Sequence, residues 1–215
     1  LLQNDVNYRT GSRGHEFEKE FADWIGSSHA VSVANGTVAL DLAMVALNIG
    51  PGDEVIVSPR TFFASASTIV TAGATPIFAE VDPNSQNITA ETIKKVMTSR
   101  TKAIICVHHA GWPCDMDPIM KLAEGNYLKV VEDCAQAHGA RYKGRSVGSI
   151  GHVGAWSFCQ DKIMTIGGEG GMVTTNSEDL WKKMWAYRDH GKKFEPDFNL
   201  KSQLESQAQN NSSFN

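Results

Sequence analysis

Three stretches of the chain carry side chains that could do chemistry. In Ser157-Phe158-Cys159-Gln160-Asp161-Lys162 a lysine follows the apolar pattern Gly154-Ala155-Trp156-Ser157-Phe158 and precedes Gly167-Gly168-Glu169-Gly170-Gly171. Most lysines sit on solvated surfaces. One lodged between a strand end and a glycine-tight backbone is held, and burial beside a cation favours the neutral amine that a nucleophile needs. In Val130-Val131-Glu132-Asp133-Cys134-Ala135-Gln136-Ala137-His138-Gly139 an apolar strand pattern ends on two carboxylates. Open α/β sheets bind their ligands at that end of a strand. Asn35-Gly36-Thr37 opens a long helical pattern, and the first N–H groups of a helix lack partners and attract phosphate.

An amine, a carboxylate and an anion cradle together describe a site for pyridoxal 5′-phosphate (PLP). Lys162 would join its aldehyde as a Schiff base and Asp133 would keep its pyridine nitrogen protonated. Gly36, Thr37 and the Val38 backbone would take its phosphate.

The elements that must position these groups alternate regularly. Phe17, Phe21 and Trp24-Ile25 mark an amphipathic helix over 15–25, and 30–33 reads as a strand leading into Asn35. Val38, Leu42, Val45 and Ile49 continue on one helical face until Gly50-Pro51-Gly52 stops it. Strands are expected at 55–57, 75–81, 103–107 and 127–131, with helices at 65–71, 89–97 (Thr89 as N-cap) and 117–123. Single helices between strands imply βαβ crossovers and a mainly parallel sheet covered on both faces, an α/β fold. After Asp133 glycines break the pattern into short strands and turns; 172–175 is a strand. Ser177 caps a last helix to about His190, with Leu180, Met184 and Tyr187 on one side.

Composition narrows the function. The chain has 215 residues, 41% hydrophobic and 20% charged, with a formal net charge of −4. That suffices for one sizeable core and argues against a nucleic-acid partner, which would call for a basic stripe. No apolar run is long enough to span a membrane, and no signal peptide is legible at the start, which lacks an initiator methionine. Cys106, Cys114, Cys134 and Cys159 form no C-x-x-C pair and are expected as buried free thiols in a cytoplasmic protein. The glycine run 167–171 does not satisfy G-x-G-x-x-G and precedes a strand, which argues against a dinucleotide fold. His108, His109, Cys114, Asp115 and Asp117 match no structural zinc spacing, so no metal is expected. His138 and His190 read as packed, hydrogen-bonded histidines.

In order and spacing the chain resembles, from about Thr10 to about Lys193, the DegT/DnrJ/EryC1/StrS family of fold-type I, PLP-dependent sugar aminotransferases. The resemblance rests on Asn35-Gly36-Thr37-Val38-Ala39-Leu40, Pro51-Gly52-Asp53-Glu54-Val55-Ile56-Val57, and Glu132-Asp133-Cys134-Ala135-Gln136-Ala137-His138-Gly139. It also rests on Ser157-Phe158 with Lys162, Gly168-Glu169-Gly170-Gly171, and Arg188-Asp189-His190-Gly191. It implies a three-layer α/β/α large domain. The family pattern makes Lys162 the Schiff-base lysine and places the key acid second, at Asp133 rather than Glu132. It implies that Gln136 binds the cofactor's phenolic oxygen, Ser157 adds a hydroxyl to the phosphate, and Phe62, next to its alternative Phe63, stacks on the ring.

The reaction so implied moves an amino group from an amino acid, typically glutamate, through pyridoxamine phosphate to a nucleotide-linked keto-sugar. A homodimer is implied for the full-length protein. The domain expectation is a large domain over 1–193, incomplete at its C-terminal side, then a polar, mobile tail over 194–215. Nothing after Lys193 resembles the family's smaller C-terminal domain. The alternative is therefore a catalytically incomplete fragment or a regulatory relative that keeps the fold. Trp112 is a bulky aromatic where relatives often carry a smaller or polar residue.

Overall fold

The short Val- and Ile-rich runs become strands of one sheet in a computed structural model that describes residues 12–192. The expected tail at 194–215 lies outside the described residues, as does the start of the expected domain. In chain order the elements are α1 (Ser12–Ile25), β1 (His29–Val33), α2 (Gly36–Ala46), β2 (Glu54–Val57) and α3 (Ala64–Thr71). Then follow β3 (Thr75–Phe78), α4 (Ala90–Val96), β4 (Thr101–Val107), a 3₁₀ turn (His109–Gly111) and α5 (Met116–Gly125). The rest comprises β5 (Lys129–Asp133), the small ribbon β6 (Arg141–Tyr142) and β7 (Arg145–Ser146), β8 (Val153–Ser157), β9 (Gly171–Thr175) and α6 (Glu178–Arg188).

Seven strands form the sheet in the order β1-β9-β8-β5-β4-β2-β3. All pairings from β8 to β3 are parallel, whereas β9 runs antiparallel to both β8 and β1. The reversal has a simple cause: the link from Ser157 to Gly171 carries no crossover helix, and a chain that returns without one pairs antiparallel. Consequently Gly171, opening β9, lies opposite both Ser157, closing β8, and Val33, closing β1. Every parallel strand delivers its carboxyl end to that same edge.

Alternation along the strands sorts the core into two faces. Val31, Val55, Val57, Ile105, Val131, Ala155 and Val173 pack under α2, α3 and α6. Ile56, Ile104, Cys106 and Val130 pack under α4 and α5, and Trp156, Phe158 and Met172 pack under α1. The result is the expected three-layer α/β/α arrangement. No helix among the described residues is long and apolar enough to cross a membrane.

Several details differ from the sequence reading; among them, α2 ends at Ala46, and Val38 and Val45 of its expected face are exposed. The fifth strand begins at Lys129 rather than 127, because Tyr127 has φ +57° in an exposed turn, and it runs on to Asp133 because its pairing with β4 and β8 continues that far. The third strand stops at Phe78, and Val81 only bridges to Ile88. In α6 the buried side is carried by Met184 and Trp185, with Trp181 and Arg188 beside them, while Tyr187 is exposed. Leu180 packs partly against the same core, so of the three expected residues only Tyr187 turns away from it. His190 is exposed with φ +60°, whereas His138 is buried against the rings of Trp156 and Phe158. Burial lowers the His138 imidazole from its usual range, and neither ring nitrogen has a hydrogen-bond partner in standard geometry among the described residues.

Candidate active site

The acidic pair that closes β5 divides its labour by strand alternation. Glu132 turns towards the α4–α5 side and is fully buried. Its carboxylate accepts N–H bonds from Gly148 (2.9 Å), Ile150 (2.8 Å) and Gly151 (2.6 Å), and one from His108 Nε2 (2.9 Å). The Cys114 N–H donates to His108 Nδ1 at 3.1 Å, so the imidazole proton sits on Nε2, facing Glu132. Burial alone would raise the Glu132 carboxyl; the His108 contact and the backbone donors bring it below the usual carboxylate range. Glu132 is thus the anchor of the 148–151 loop.

Asp133 turns to the opposite side. Its Oδ2 accepts from Ser65 Oγ at 2.7 Å, and Ser65 Oγ lies 2.8 Å from Thr61 Oγ1. Its Oδ1 accepts from the Ala135 N–H at 3.1 Å. Burial raises this carboxyl above its ordinary range, opposed by the Ser65 and Ala135 bonds and by the Lys162 charge. Ser65 is a site residue that the sequence reading took only for the start of a helix.

Across the cavity, α2 begins at Asn35, whose side chain accepts from the Val38 N–H at 2.9 Å. Val38 therefore has its N–H occupied, and its side chain lines a separate cavity with Asp41, Val45 and Tyr187. Of the three cradle residues expected, Gly36 and Thr37 face the site; their N–H groups, first in the helix, have no intrahelical acceptor. A Cβ on Gly36 would lie 2.8 Å from Ser157 Cβ, and one on Gly171 would lie 2.4 Å from the Asn35 carbonyl oxygen. Only glycine at both positions lets the start of α2 close onto the ends of β8 and β9.

Lys162 follows β8 in a loop tied down by the Phe158 N–H donating to Gly170 O (2.7 Å) and its own N–H donating to Cys159 O (3.0 Å). Its side chain is half-buried, with Nζ 3.3 Å from Asp161 Oδ1, not the fully buried amine expected. Among the described residues the following loop turns outward, with Ile163 and Ile166 exposed, and leaves the lysine only partly covered. Gln136 Oε1 accepts from the Ala110 N–H at 2.8 Å, which leaves its amide N–H groups for the cavity. Phe62 lines the cavity and Phe63 does not, although both rings are largely exposed.

Gly36, Thr37, Phe62, Asp133, Gln136, Ser157 and Lys162 thus surround one cavity of about 520 Å³, joined by Asn35, Thr61, Cys159 and Glu169. These groups fit PLP on three counts. A buried carboxylate stands ready for a protonated ring nitrogen. Two unpaired helix-start N–H groups lie beside the Ser157 hydroxyl, in a cradle that a single Cβ would fill. A lysine amine lines the same space. The suspected metal residues do not converge: His109 accepts from Arg60, Asp115 binds Tyr142, and Asp117 pairs with Lys143 and Arg145. His108, Glu132 and Cys134 do bring ligand atoms within 4.8 Å of one another, but the bonds described above already occupy Glu132 and His108. All four cysteines are free thiols, and Cys159 is only half-buried.

Comparison with known proteins supplies the context. A model of the DegT/DnrJ/EryC1/StrS aminotransferase family matches residues 1–209. A GDP-perosamine synthase of Caulobacter vibrioides is 50% identical over 176 residues, covering 82% of this chain and 47% of that protein. A UDP-N-acetyl-3-dehydro-alpha-D-glucosamine 3-aminotransferase of Acidithiobacillus ferrooxidans is 46% identical over 190 residues, covering 88% and 52%. The crystal structure of an aminotransferase from Psychrobacter cryohalolentis superposes with a TM-score of 0.88 at 66% identity, covering 90% of this chain and 49% of that one. The chain spans about half the length of the relatives it matches.

Proposed function

The chain belongs to the DegT/DnrJ/EryC1/StrS aminotransferase family, and from that membership we propose that its protein is a PLP-dependent aminotransferase acting on a nucleotide-linked keto-sugar, with an amino acid such as glutamate as donor. The observation that carries this reading is the meeting of Lys162, Asp133 and the Gly36-Thr37 cradle around one cavity, from three distant stretches of sequence.

Bound there, PLP supplies a carbonyl for the amine and a ring that delocalises the electron pair left when the substrate carbon loses its proton. The chain's own groups do the rest. Asp133, ionised and held by Ser65 and Ala135, keeps a proton on the ring nitrogen. Gly36 and Thr37 N–H groups and the Ser157 hydroxyl would hold its phosphate. The Gln136 amide would hold the phenolic oxygen, and Phe62 would pack against the ring. Lys162 Nζ takes the proton from the donor's carbon and returns it during exchange, and later serves the sugar carbon in reverse. The net change makes the donor a 2-oxo acid and turns the sugar ketone into an amine. The reading includes a homodimer in a cytoplasmic setting, which the free thiols support.

The test is borohydride reduction of the PLP-treated protein followed by peptide mass spectrometry, beside a transamination assay with GDP- and UDP-linked keto-sugars. A pyridoxyl adduct on the Lys162 peptide together with aminated sugar is expected. An adduct on another lysine, or none, would overturn the assignment; an adduct without sugar amination would leave a cofactor-binding relative of other function.

A further inference from the structure

Helix α2 borders two cavities. Gly36, Thr37 and Leu40 face the active site, whereas Val38, Asp41, Leu42 and Val45 line a second cavity of about 510 Å³ between α2, α3 and α6. Val38, Leu42 and Val45 fall at i, i+4 and i+7 and so form one apolar row along the helix. Val38 and Val45 stand exposed in it, and Tyr187 stands exposed on the α6 side. Exposed apolar side chains on a folded protein are usually scattered singly, and a row of them along a groove marks an interaction surface.

Two polar groups of the same groove lack partners among the described residues. Asp41, partly buried, makes no hydrogen bond or ion pair there, and burial raises its carboxyl above the ordinary range. Arg188 spends Nη1 on Glu18 and Ser32, but its Nη2 is buried without an acceptor. Buried polar groups of folded proteins are nearly always bonded. The groove therefore calls for an occupant with an apolar stripe, a cation for Asp41 and an acceptor for Arg188.

The chain carries such a segment. Leu200, Leu204 and Ala208 recur at four-residue spacing, which is the spacing of a helical stripe. Lys201 and Glu205 follow the two leucines at the same spacing and are the only charged residues between them and Ala208. Such a polar segment cannot bury enough surface to order itself alone, but one stripe suffices against a ready apolar wall. Reach is no obstacle. Arg188, the last residue of α6, is itself on the groove, and the stretch from Lys192 to Leu200 can span roughly 25 Å, more than the roughly 16 Å length of α2.

We propose that residues 200–208 dock as a short helix on the groove between α2, α3 and α6. Leu200, Leu204 and Ala208 pack against Val38, Leu42 and Val45, Lys201 meets Asp41, and Glu205 meets Arg188 Nη2. Docking covers the exposed valines and satisfies both polar groups at once. It requires neither cofactor nor substrate.

Hydroxyl-radical footprinting of the 215-residue chain, read by mass spectrometry, measures how far Val38, Val45 and Tyr187 are covered. Leu200→Ser combined with Leu204→Ser should raise their labelling by about threefold or more, because labelling follows the population of the open state. Trp156, fully buried, should stay unlabelled throughout and report an intact fold. Lys201→Glu alone should also raise the labelling, and adding Asp41→Lys should restore the cover, since the exchanged charges still pair. Equal labelling in the unaltered chain and in the double serine variant overturns the proposal. So does cover that grows with protein concentration, which would put a second copy on the groove. Loss of cover in Lys201→Glu that Asp41→Lys leaves unrepaired overturns it as well.

Discussion

Glu132 and Asp133 differ by one methylene and one sequence position, yet one is scaffold and the other is chemistry. The difference is made by their donors. Glu132 is surrounded by three backbone N–H groups and His108, which leave no lone pair for a ligand, whereas Asp133 keeps capacity beyond its bonds to Ser65 and Ala135. Asp133→Asn should retain some cofactor but slow transamination by at least about a hundredfold, because a neutral amide cannot hold the ring-nitrogen proton. Rapid-mixing measurement of the donor half-reaction reads this, and an unchanged rate would make Asp133 a strand cap. Ser65 is a positioning residue, acting through Asp133. Ser65→Ala removes a bond that lowers the Asp133 carboxyl, so the acid limb of the half-reaction's pH profile should move to higher pH, and Ser65→Thr should restore it. A profile identical in all three proteins would reduce Ser65 to packing. Lys162→Ala and Lys162→Arg should both abolish the borohydride-trapped adduct, since guanidinium stays protonated.

At the scale of elements, the cradle depends on how closely a helix can approach a strand. Gly36 has no room for a Cβ, because the atom it would meet is Ser157 Cβ, fixed to the backbone of β8. Gly36→Ala should therefore push α2 outward, destabilising the protein by about 1–3 kcal/mol and weakening PLP binding. Pairing it with Ser157→Gly removes the colliding atom, so chemical denaturation should show recovered stability, a non-additive double cycle. PLP affinity should stay reduced, because the hydroxyl anchor is lost. Additive losses of stability would show that the contact is not what limits the approach of α2.

Across the whole molecule, one ion pair ties the first described helix to the last. Glu18 on α1 accepts from the Ser32 N–H (2.8 Å) and hydroxyl (2.7 Å) of β1, and pairs with Arg188 on α6 and with His15. Burial would raise this carboxyl; the His15 bond, the Arg188 charge and the Ser32 donors together bring it to about 2, from an ordinary 4.5. A depressed carboxylate stabilises the fold above its unfolded value and loses that contribution as pH falls. The contribution, about 3 kcal/mol at neutral pH, should therefore fade between pH 4.5 and about 2. Urea unfolding at pH 7 and pH 3 checks it: Glu18→Gln should lower stability at pH 7 and flatten the dependence on pH in that window. An equal pH dependence in both proteins would assign acid sensitivity elsewhere.

Short-range order was legible in the residues. Periodicity placed the helices and strands, because burying one face requires period 3.6 or 2, and the three chemical stretches were visible because lysine, carboxylate and glycine-threonine sat at element ends. Strand boundaries at Tyr127 and Val81 were not, since a left-handed turn and an isolated bridge leave no periodic trace. Other features were set only when distant segments met. The reversal of β9 depends on what it pairs with, and the pairing of Ser65 with Asp133 spans 68 positions. The occupation of the Val38 N–H by Asn35 and the partial exposure of Lys162 are likewise properties of packed neighbours. A residue's type limits which bonds it can make, but the geometry of the fold decides which of them are already taken.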